Sequence, residues 1–190
     1  MKALEDKIIS EGFVLPGNIL KVGSFLNHQI DVDFLMEAGK EFARLYDGCG
    51  VNKILTIESS GIAVAVAAGA AMHVPVVFAK KHKTSNVSGG LYSTVVHSYT
   101  HNYDYNVVVE QEFLRSGDRV LVVDDFLANG KALLGLADII KQAGAEMIGA
   151  GIAIEKGFQH GGDELRSMGM RIESLAVIES MSENGIVFRR

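Results

Sequence analysis

One segment, residues 120–132 with the sequence VLVVDDFLANGKA, constrains the fold of this chain more than any other. It begins as an apolar, β-rich run, continues through two adjacent carboxylates, and ends in a loop of small residues. The helical sequence ALLGLADIIKQAG follows at once. The segment therefore predicts a buried strand, a short loop and a helix. Acids would lie at the carboxyl end of the strand, and free backbone N–H groups at the start of the helix.

Strand and helix patterns alternate through the middle of the chain. Apolar residues recur at helical spacing from Leu133 to Ile140, and Gly144 supplies a stop. Strands separated by helices imply right-handed crossovers and a parallel sheet, and almost wholly apolar strands imply a sheet covered on both faces. We therefore predict an α/β fold, a parallel sheet flanked by helices. The predicted strands are residues 53–58, 74–79, 119–123 and 147–154, and the predicted helices are residues 61–72 and 132–143.

Two regions depart from this alternation. Residues 91–100 and 104–113 are both β-rich and predict an antiparallel hairpin. The polar, glycine-ended segment KKHKTSNVSGG, residues 80–90, precedes them and predicts a flexible loop. Near the start, residues 19–22 predict a short strand, and residues 31–46 a helix capped by Asp31. Nothing resembles an interdomain linker, so residues 1–190 are predicted to form one domain.

Composition narrows the functional classes. The net charge is −5, from 18 basic and 23 acidic residues, which argues against a nucleic-acid surface because such surfaces need clustered excess Lys and Arg. The most apolar stretch, residues 62–77, is too short and too rich in alanine to span a membrane, and the start lacks a signal-peptide pattern. With one cysteine, Cys49, an internal disulfide is impossible. We expect a structural Cys49 and a cytoplasmic protein without membrane or nucleic-acid partners.

Ligands of open α/β sheets bind beyond the carboxyl ends of the strands, and four loops of this chain leave such ends. The first, Glu58, Ser59, Ser60 and Gly61, leads directly into a helix. Small residues allow close approach of an anion to the backbone, and the helix start favours negative charge. The same residues also suit an ordinary helix cap.

Two of the other loops carry lysines. Lys80 and Lys81 belong to a basic run that attracts phosphates, although a solvated basic loop explains the same run. Lys156 is a hydrogen-bond donor suited to a carbonyl oxygen, and Phe158 could stack on a flat heterocycle. An ordinary exposed lysine is the alternative for Lys156.

The remaining loop contains the acids Asp124 and Asp125. Carboxylates are poor contacts for phosphate and good acceptors for vicinal hydroxyls, so the pair suits a sugar, while the loop amides suit a phosphate. The combination predicts a ribose 5-phosphate site. A nucleotide-binding strand with a capping acid is one alternative, and the acidic pocket of a receiver domain is another. The loop residues are Ala128, Asn129, Gly130, Lys131 and Ala132.

These motifs resemble a known family. VVDDFLANGKA resembles the phosphoribosyl-diphosphate motif of the type I phosphoribosyltransferases, ESSG resembles their diphosphate loop, and KKHKTSNVSGG with its hairpin resembles their flexible catalytic loop. The segments GFVLPGNILKVGSFLNHQID and GIAIEKGFQHGG resemble the bacterial xanthine-specific branch, a relative of the adenine enzymes.

The resemblance implies that phosphoribosyl diphosphate and xanthine form xanthosine 5′-monophosphate and diphosphate. It also implies a homodimer, a small hood formed by about residues 1–35, and Mg²⁺ held through the diphosphate, with Asp124 and Asp125 as candidate protein ligands. The implied catalytic residues are Asp124, Asp125 and Lys81. The implied phosphoribosyl-diphosphate contacts are Ala128, Asn129, Gly130, Lys131, Ala132, Glu58, Ser59, Ser60 and Lys80. The implied base contacts are Leu20, Asn27, Lys156 and Phe158.

Three residues depart from the wider family pattern. Ala128 stands where hypoxanthine–guanine enzymes carry a proton-accepting aspartate, and Asn129 and Ala132 stand where threonines are common. Xanthine is a relatively acidic purine, so we expect little demand for a protein base. Two other hypotheses compete: a transferase for guanine, hypoxanthine or adenine, and a non-catalytic regulator that senses phosphoribosyl diphosphate. A regulator of the latter kind would need a DNA-binding segment, for which the chain offers no candidate.

Overall fold

The computed structural model describes residues 1–82, 90–98 and 103–190. The helices are α1 (Lys2–Glu11), α2 (Val32–Leu45), α3 (Gly61–Met72), α4 (Lys131–Gln142) and α5 (Gly161–Ser167). The strands are β1 (Phe13–Leu15), β2 (Ile19–Lys21), β3 (Lys53–Ile57), β4 (Val76–His82), β5 (Leu91–Ser98), β6 (Tyr103–Glu110), β7 (Arg119–Leu127), β8 (Glu146–Lys156), β9 (Ile172–Ser182) and β10 (Gly185–Phe188).

Eight strands form the central sheet in the order β10-β9-β8-β7-β3-β4-β6-β5. The five strands from β9 to β4 run parallel, and the antiparallel pairings lie at the two ends. The chain passes from β3 outward to β4 and later returns to the other side of β3 with β7. This reversal makes the crevice between β3 and β7 the topological switch point, where such sheets bind ligands. The predicted α/β class with a mostly parallel sheet is confirmed.

The core has two layers, one on each face of the sheet. Leu121 and Val123 of β7 pack with α1, α2 and α3, whereas Val120 and Val122 pack with α4. Successive residues of a strand point to opposite faces, so a strand buried on both faces needs apolar residues throughout. That requirement explains why β7 reads as a continuous apolar run up to its acids.

Several predicted boundaries are confirmed. Helix α3 spans the predicted residues, and α4 lies within one residue of its prediction at each end. Gly144, at φ +66°, adopts the left-handed conformation that ends α4. Asp31 caps α2, because its carboxylate accepts a hydrogen bond from the Phe34 N–H at 3.1 Å.

Strand β4 is where prediction and structure differ most. It begins at Val76, after Pro75, since proline cannot donate to the ladder. It then continues to His82, so Lys80 and Lys81 lie in a strand rather than in the predicted loop. The cause is β6, whose antiparallel pairing extends the ladder past the carboxyl edge of the sheet. Predicted loop residues 83–89, and hairpin residues 99–102, lie outside the described residues.

The N-terminal segment forms α1, the small antiparallel hairpin β1–β2, and a π-helical turn at Gly23–Asn27. The sequence patterns gave no expectation for α1 or for the terminal hairpin β9–β10. Within residues 1–82, 90–98 and 103–190, no helix combines the length and apolar composition needed to cross a membrane.

Candidate active site

The two acids lie near the end of β7, in the switch-point crevice. Pairing with β8 continues β7 to Leu127, so the acids belong to the strand and not, as predicted, to the loop after it. The Asp125 N–H donates to Asp124 Oδ1 at 2.9 Å, and their carboxyl groups lie within hydrogen-bonding reach of each other. Burial, and secondly the charge of Asp125, raise the pKa of Asp124 well above its usual value, while the Lys81 charge opposes the rise. The pair is therefore poised for hydrogen-bonding ligands or a cation that would stabilise its negative charge.

The loop after β7 forms a small cavity beside Asp124. Gly130, at φ +78°, turns the chain into α4, and Asn129 Oδ1 accepts a hydrogen bond from the Lys131 N–H at 3.2 Å. Phe126 also lines the cavity, whose volume is about 100 Å³. A half-buried carboxylate and the free N–H groups of a helix start thus share one pocket, which suits a sugar phosphate. The loop residues in its lining are Ala128, Asn129, Gly130, Lys131 and Ala132.

Helix α5 packs against this loop. A β-carbon on Gly161 would collide with the Ala128 carbonyl oxygen and with backbone atoms of Asn129. A β-carbon on Gly130 would lie 2.7 Å from the Leu165 side chain. The loop between β7 and α4 therefore packs directly against α5, a contact that the sequence patterns did not indicate.

A buried ion pair fixes α5 to the sheet. Glu155 of β8 is fully buried, and its carboxylate accepts two hydrogen bonds from Arg166, at 2.8 and 2.7 Å, and one from the Ser174 hydroxyl. Burial is the largest influence on Glu155 and raises its pKa, but the bonds from Arg166 and Ser174 outweigh burial and hold the pKa below its usual value. Glu155 is thus ionised at neutral pH.

The loop after β3 completes the crevice. Glu58 Oε1 accepts a hydrogen bond from the Lys81 N–H at 2.5 Å, so the Glu58 carboxylate holds the end of β4. The Glu58–Ser59 peptide bond is cis. Ser60 stands at the N-cap of α3 without a side-chain capping bond, which leaves its hydroxyl for a ligand, whereas the Ile62 N–H already donates to the Ser59 carbonyl at 3.2 Å.

The two lysines of β4 point to different sides. The Lys81 ammonium lies 5.4 Å from the centre of the Tyr105 ring, and its charge acts on Asp124. The Lys80 ammonium lies 3.5 Å from the Glu110 carboxylate, next to an apolar groove. Only Lys81 of the two is therefore grouped with the acids.

Lys156, at the end of β8, lies between the sheet and the N-terminal segment. Its half-buried ammonium donates to the Asn18 carbonyl at 3.3 Å and lies 5.8 Å from the centre of the Phe126 ring. Burial lowers the pKa of Lys156 below its ordinary value. Phe126 and Phe158 both pack against the core, and Phe126, which the sequence patterns missed, also lines the cavity. The position of Phe126, directly after the acid pair, was the available signal.

The other two predicted base contacts lie in the N-terminal segment. The Leu20 side chain is buried in the core, so its main chain is the part that remains for contact with a ligand. Asn27 is exposed at the end of the π-helical turn, and within the described ranges its carboxamide makes no hydrogen bond. The contact between Lys156 and Asn18 joins this segment to the carboxyl edge of the sheet.

Comparisons with known proteins agree with this geometry. A family profile described as "Phosphoribosyl transferase domain" matches residues 34–168. "Xanthine phosphoribosyltransferase 2" from Clostridium botulinum is 54% identical over 190 residues, covering 100% of both chains. "Xanthine phosphoribosyltransferase" from Lachnoclostridium phytofermentans is 51% identical and covers 100% of this chain and 98% of its own.

Among solved structures, an adenine phosphoribosyltransferase from Giardia lamblia with 9-deazaadenine has a TM-score of 0.75 at 19% identity, covering 94% of this chain and 98% of its own. The enzyme from Thermoanaerobacter pseudethanolicus has a TM-score of 0.72 at 19% identity, covering 92% of this chain and 98% of its own. At such low identity these two structures establish the shared fold alone.

Proposed function

This chain belongs to the phosphoribosyltransferase family, and from that premise we propose that it transfers the 5-phosphoribosyl group from phosphoribosyl diphosphate to xanthine. The products are xanthosine 5′-monophosphate and diphosphate, in a purine-salvage reaction. The observation that carries the proposal is the full-length likeness to enzymes named for xanthine. The pocket that Asp124 shares with the loop of residues 128–132 supports it.

We assign the phosphoribosyl group to the β7 crevice. Asp124 and Asp125 accept hydrogen bonds from the ribose hydroxyls, and the amides of residues 128–132 bind the 5-phosphate at the start of α4. Transfer places positive charge on the ribose and negative charge on the leaving diphosphate. The two carboxylates stabilise the positive charge on the ribose. Because the site binds both the 5-phosphate and the diphosphate, it holds the anomeric carbon in place before the base attacks.

We assign the diphosphate to the start of α3. Ser59, Ser60 and the first helical N–H groups face the leaving group, and Lys81 adds a positive charge, whereas Lys80 acts at longer range. Glu58 contributes by holding the end of β4.

Mg²⁺ fits this donor set. In the described part of the chain no three His, Cys, Asp or Glu residues lie together as a metal cage. Two adjacent carboxylates, Asp124 and Asp125, stand beside the proposed diphosphate site, and Mg²⁺ commonly combines one or two carboxylates with substrate phosphates. When bound, Mg²⁺ neutralises charge on the departing diphosphate.

We propose that Lys156 selects the base. Its ammonium is a donor, so it suits the C6 oxygen of xanthine and rejects the amino group that adenine carries there. Asn27 donates to the C2 oxygen, and Leu20 contributes its main chain. The Phe126 ring, whose centre lies 5.8 Å from the Lys156 ammonium, is a better candidate than Phe158 for stacking on the base. A site built for polar partners discriminates by about 10⁴-fold when one partner is missing.

The test is a product assay. Purified protein is incubated with Mg²⁺, phosphoribosyl diphosphate and each of xanthine, guanine, hypoxanthine and adenine, and nucleotide formation is followed by chromatography. Preferred formation of xanthosine monophosphate supports the proposal. Preference for another purine assigns a different base, and binding of phosphoribosyl diphosphate without any product favours the non-catalytic regulator.

We further propose a cytoplasmic homodimer. Helix α3 carries no charged or polar side chain, yet Val66 is 52% exposed on it. Its neighbour β4 borders a groove of about 310 Å³ where Phe78 and Phe113 are 41% and 48% exposed. Exposed apolar surface of this kind supports association. Light scattering should give twice the monomer mass, and Val66→Glu should shift the protein toward monomer; a monomeric wild type contradicts the assignment.

A further inference from the structure

Thr56 of β3 carries a buried hydroxyl that the fold itself does not use. The residue is fully buried, and its Oγ1 makes no hydrogen bond to any residue in the described ranges. Leaving such a group unpaired costs folding free energy, and valine would fill the same space on a buried strand without that cost. The hydroxyl therefore calls for a functional explanation.

The hydroxyl lies close to the Asp124 carboxyl group. Thr56 Oγ1 lies 2.5 Å from the position that a β-carbon on Gly61 would occupy, and Asp124 Oδ1 lies against the same position. The two oxygens are thus near neighbours across the space left by the glycine, although no hydrogen bond joins them. A change in the side-chain torsions of Asp124 would have to bring the two oxygens to hydrogen-bonding distance.

We propose that Thr56 is a positioning residue, which donates its hydroxyl hydrogen to the Asp124 carboxylate when phosphoribosyl diphosphate is bound. Gly61 leaves the space in which the two oxygens meet. The inference rests on the proposed function for the identity of the ligand, and it assigns to Thr56 a role in orienting the group that holds the ribose.

The surroundings of Asp124 show why another donor is useful. The charged groups that act on it are Asp125, which repels its charge, and Lys81, which attracts it; the Asp125 N–H is its one hydrogen-bond donor in the described part of the chain. An ionised carboxylate can accept about four hydrogen bonds. A donor from β3 would add a second hydrogen bond at Oδ1, the Asp124 oxygen that lies nearest Thr56, and leave the other acceptor sites of the carboxylate for the ribose hydroxyls.

The experiment compares Thr56→Val with Thr56→Ser. Valine keeps the shape and removes the hydroxyl, while serine keeps the hydroxyl. Steady-state constants are measured for phosphoribosyl diphosphate and for xanthine separately. Affinity for Mg²⁺ and phosphoribosyl diphosphate is measured by calorimetry, and thermal stability is recorded without ligand.

We expect Thr56→Val to weaken phosphoribosyl-diphosphate binding by about tenfold or more, the range for a hydrogen bond to a charged group. The Michaelis constant for xanthine should change little, the ligand-free protein should be at least as stable as wild type, and Thr56→Ser should restore binding. Unchanged affinity in a stabilised Thr56→Val protein would overturn the proposal, as would a serine variant as weak as the valine variant. Calorimetry tests Thr56 even if the wild type rejects xanthine, so the two proposals fail separately.

Discussion

Replacing Gly161 by alanine tests whether the phosphate loop depends on its support by α5. The new β-carbon would lie 2.5 Å from the carbonyl carbon and 2.8 Å from the Cα of Asn129, and closer still to the Ala128 oxygen. These are backbone atoms, so the clash cannot be relieved by turning a side chain. Gly161 does not have positive φ, so alanine suits its conformation, and the effect is purely steric.

The expected change in folding stability of Gly161→Ala is the difference between a steric cost and a gain in helix propensity. Overpacking costs about 1–3 kcal/mol, whereas alanine gains up to about 1 kcal/mol over glycine in a helix. We therefore expect a net loss of about 1–2 kcal/mol, a decrease of roughly 5 °C in melting temperature for a chain of this size. The catalytic loss should be larger, since displacing a binding group by about 1 Å can cost 10²-fold.

The assay separates the two substrates. kcat/KM for phosphoribosyl diphosphate should fall by about 10²-fold while the Michaelis constant for xanthine changes little, and ribose 5-phosphate should bind more weakly in calorimetry. Glu164→Ala, an exposed change in the same helix, is the matched control and should leave both constants near wild type. Wild-type affinity for phosphoribosyl diphosphate in Gly161→Ala would refute the idea that α5 positions the loop.

Three further outcomes are expected. Asp125→Ala should lower turnover by about 10²-fold or more, since it removes a charge-bearing ribose contact; near-normal turnover of folded protein would contradict the site. Lys156→Ala should reduce kcat/KM for xanthine far more than binding of phosphoribosyl diphosphate, and equal losses would argue against base selection. Glu155→Gln should lower the free energy of unfolding in urea at pH 7 by about 1–2 kcal/mol, less than for a fully buried pair because Arg166 is one-third exposed and also pairs with Asp163. Because the pKa of Glu155 is lower in the folded protein, its ionised carboxylate contributes to folding stability above pH 4.5, and this contribution is lost as the pH falls below that value. Acid should therefore reduce the stability of Glu155→Gln less than that of the wild type.

The parallel strands and the helices between them could be predicted because their local sequence patterns agree with their burial in the folded protein. The helix from Gly61 to Met72 and the strands beside it are apolar enough that only a doubly covered sheet accommodates them. The same reasoning predicted the order of strand, acids and glycine-bearing helix start, because these are contiguous in sequence. It ended the strand too early, since pairing with β8 continues β7 to Leu127 and includes both acids.

The sequence patterns failed where distant segments decide the outcome. Lys80 and Lys81 are charged, and only the pairing of β4 with β6 makes them part of a strand. Glu155 precedes a candidate base contact in sequence, yet its partners Arg166 and Ser174 come from α5 and β9. Phe126 was not predicted as a site residue, since an aromatic residue near a strand end is typical of core packing. Such roles depend on tertiary contacts that spacing does not encode.

The outer strand β5 has a consequence for how two copies can meet. The Gln142 carboxamide of α4 donates to the Ser93 carbonyl at 2.8 Å and accepts from the Ser93 N–H at 3.2 Å, so it occupies the groups that an incoming strand would use. Exposed sheet borders are otherwise templates for adding strands from another molecule. At Ser93 that route is already blocked, so a strand from another molecule could not pair with β5 through this residue.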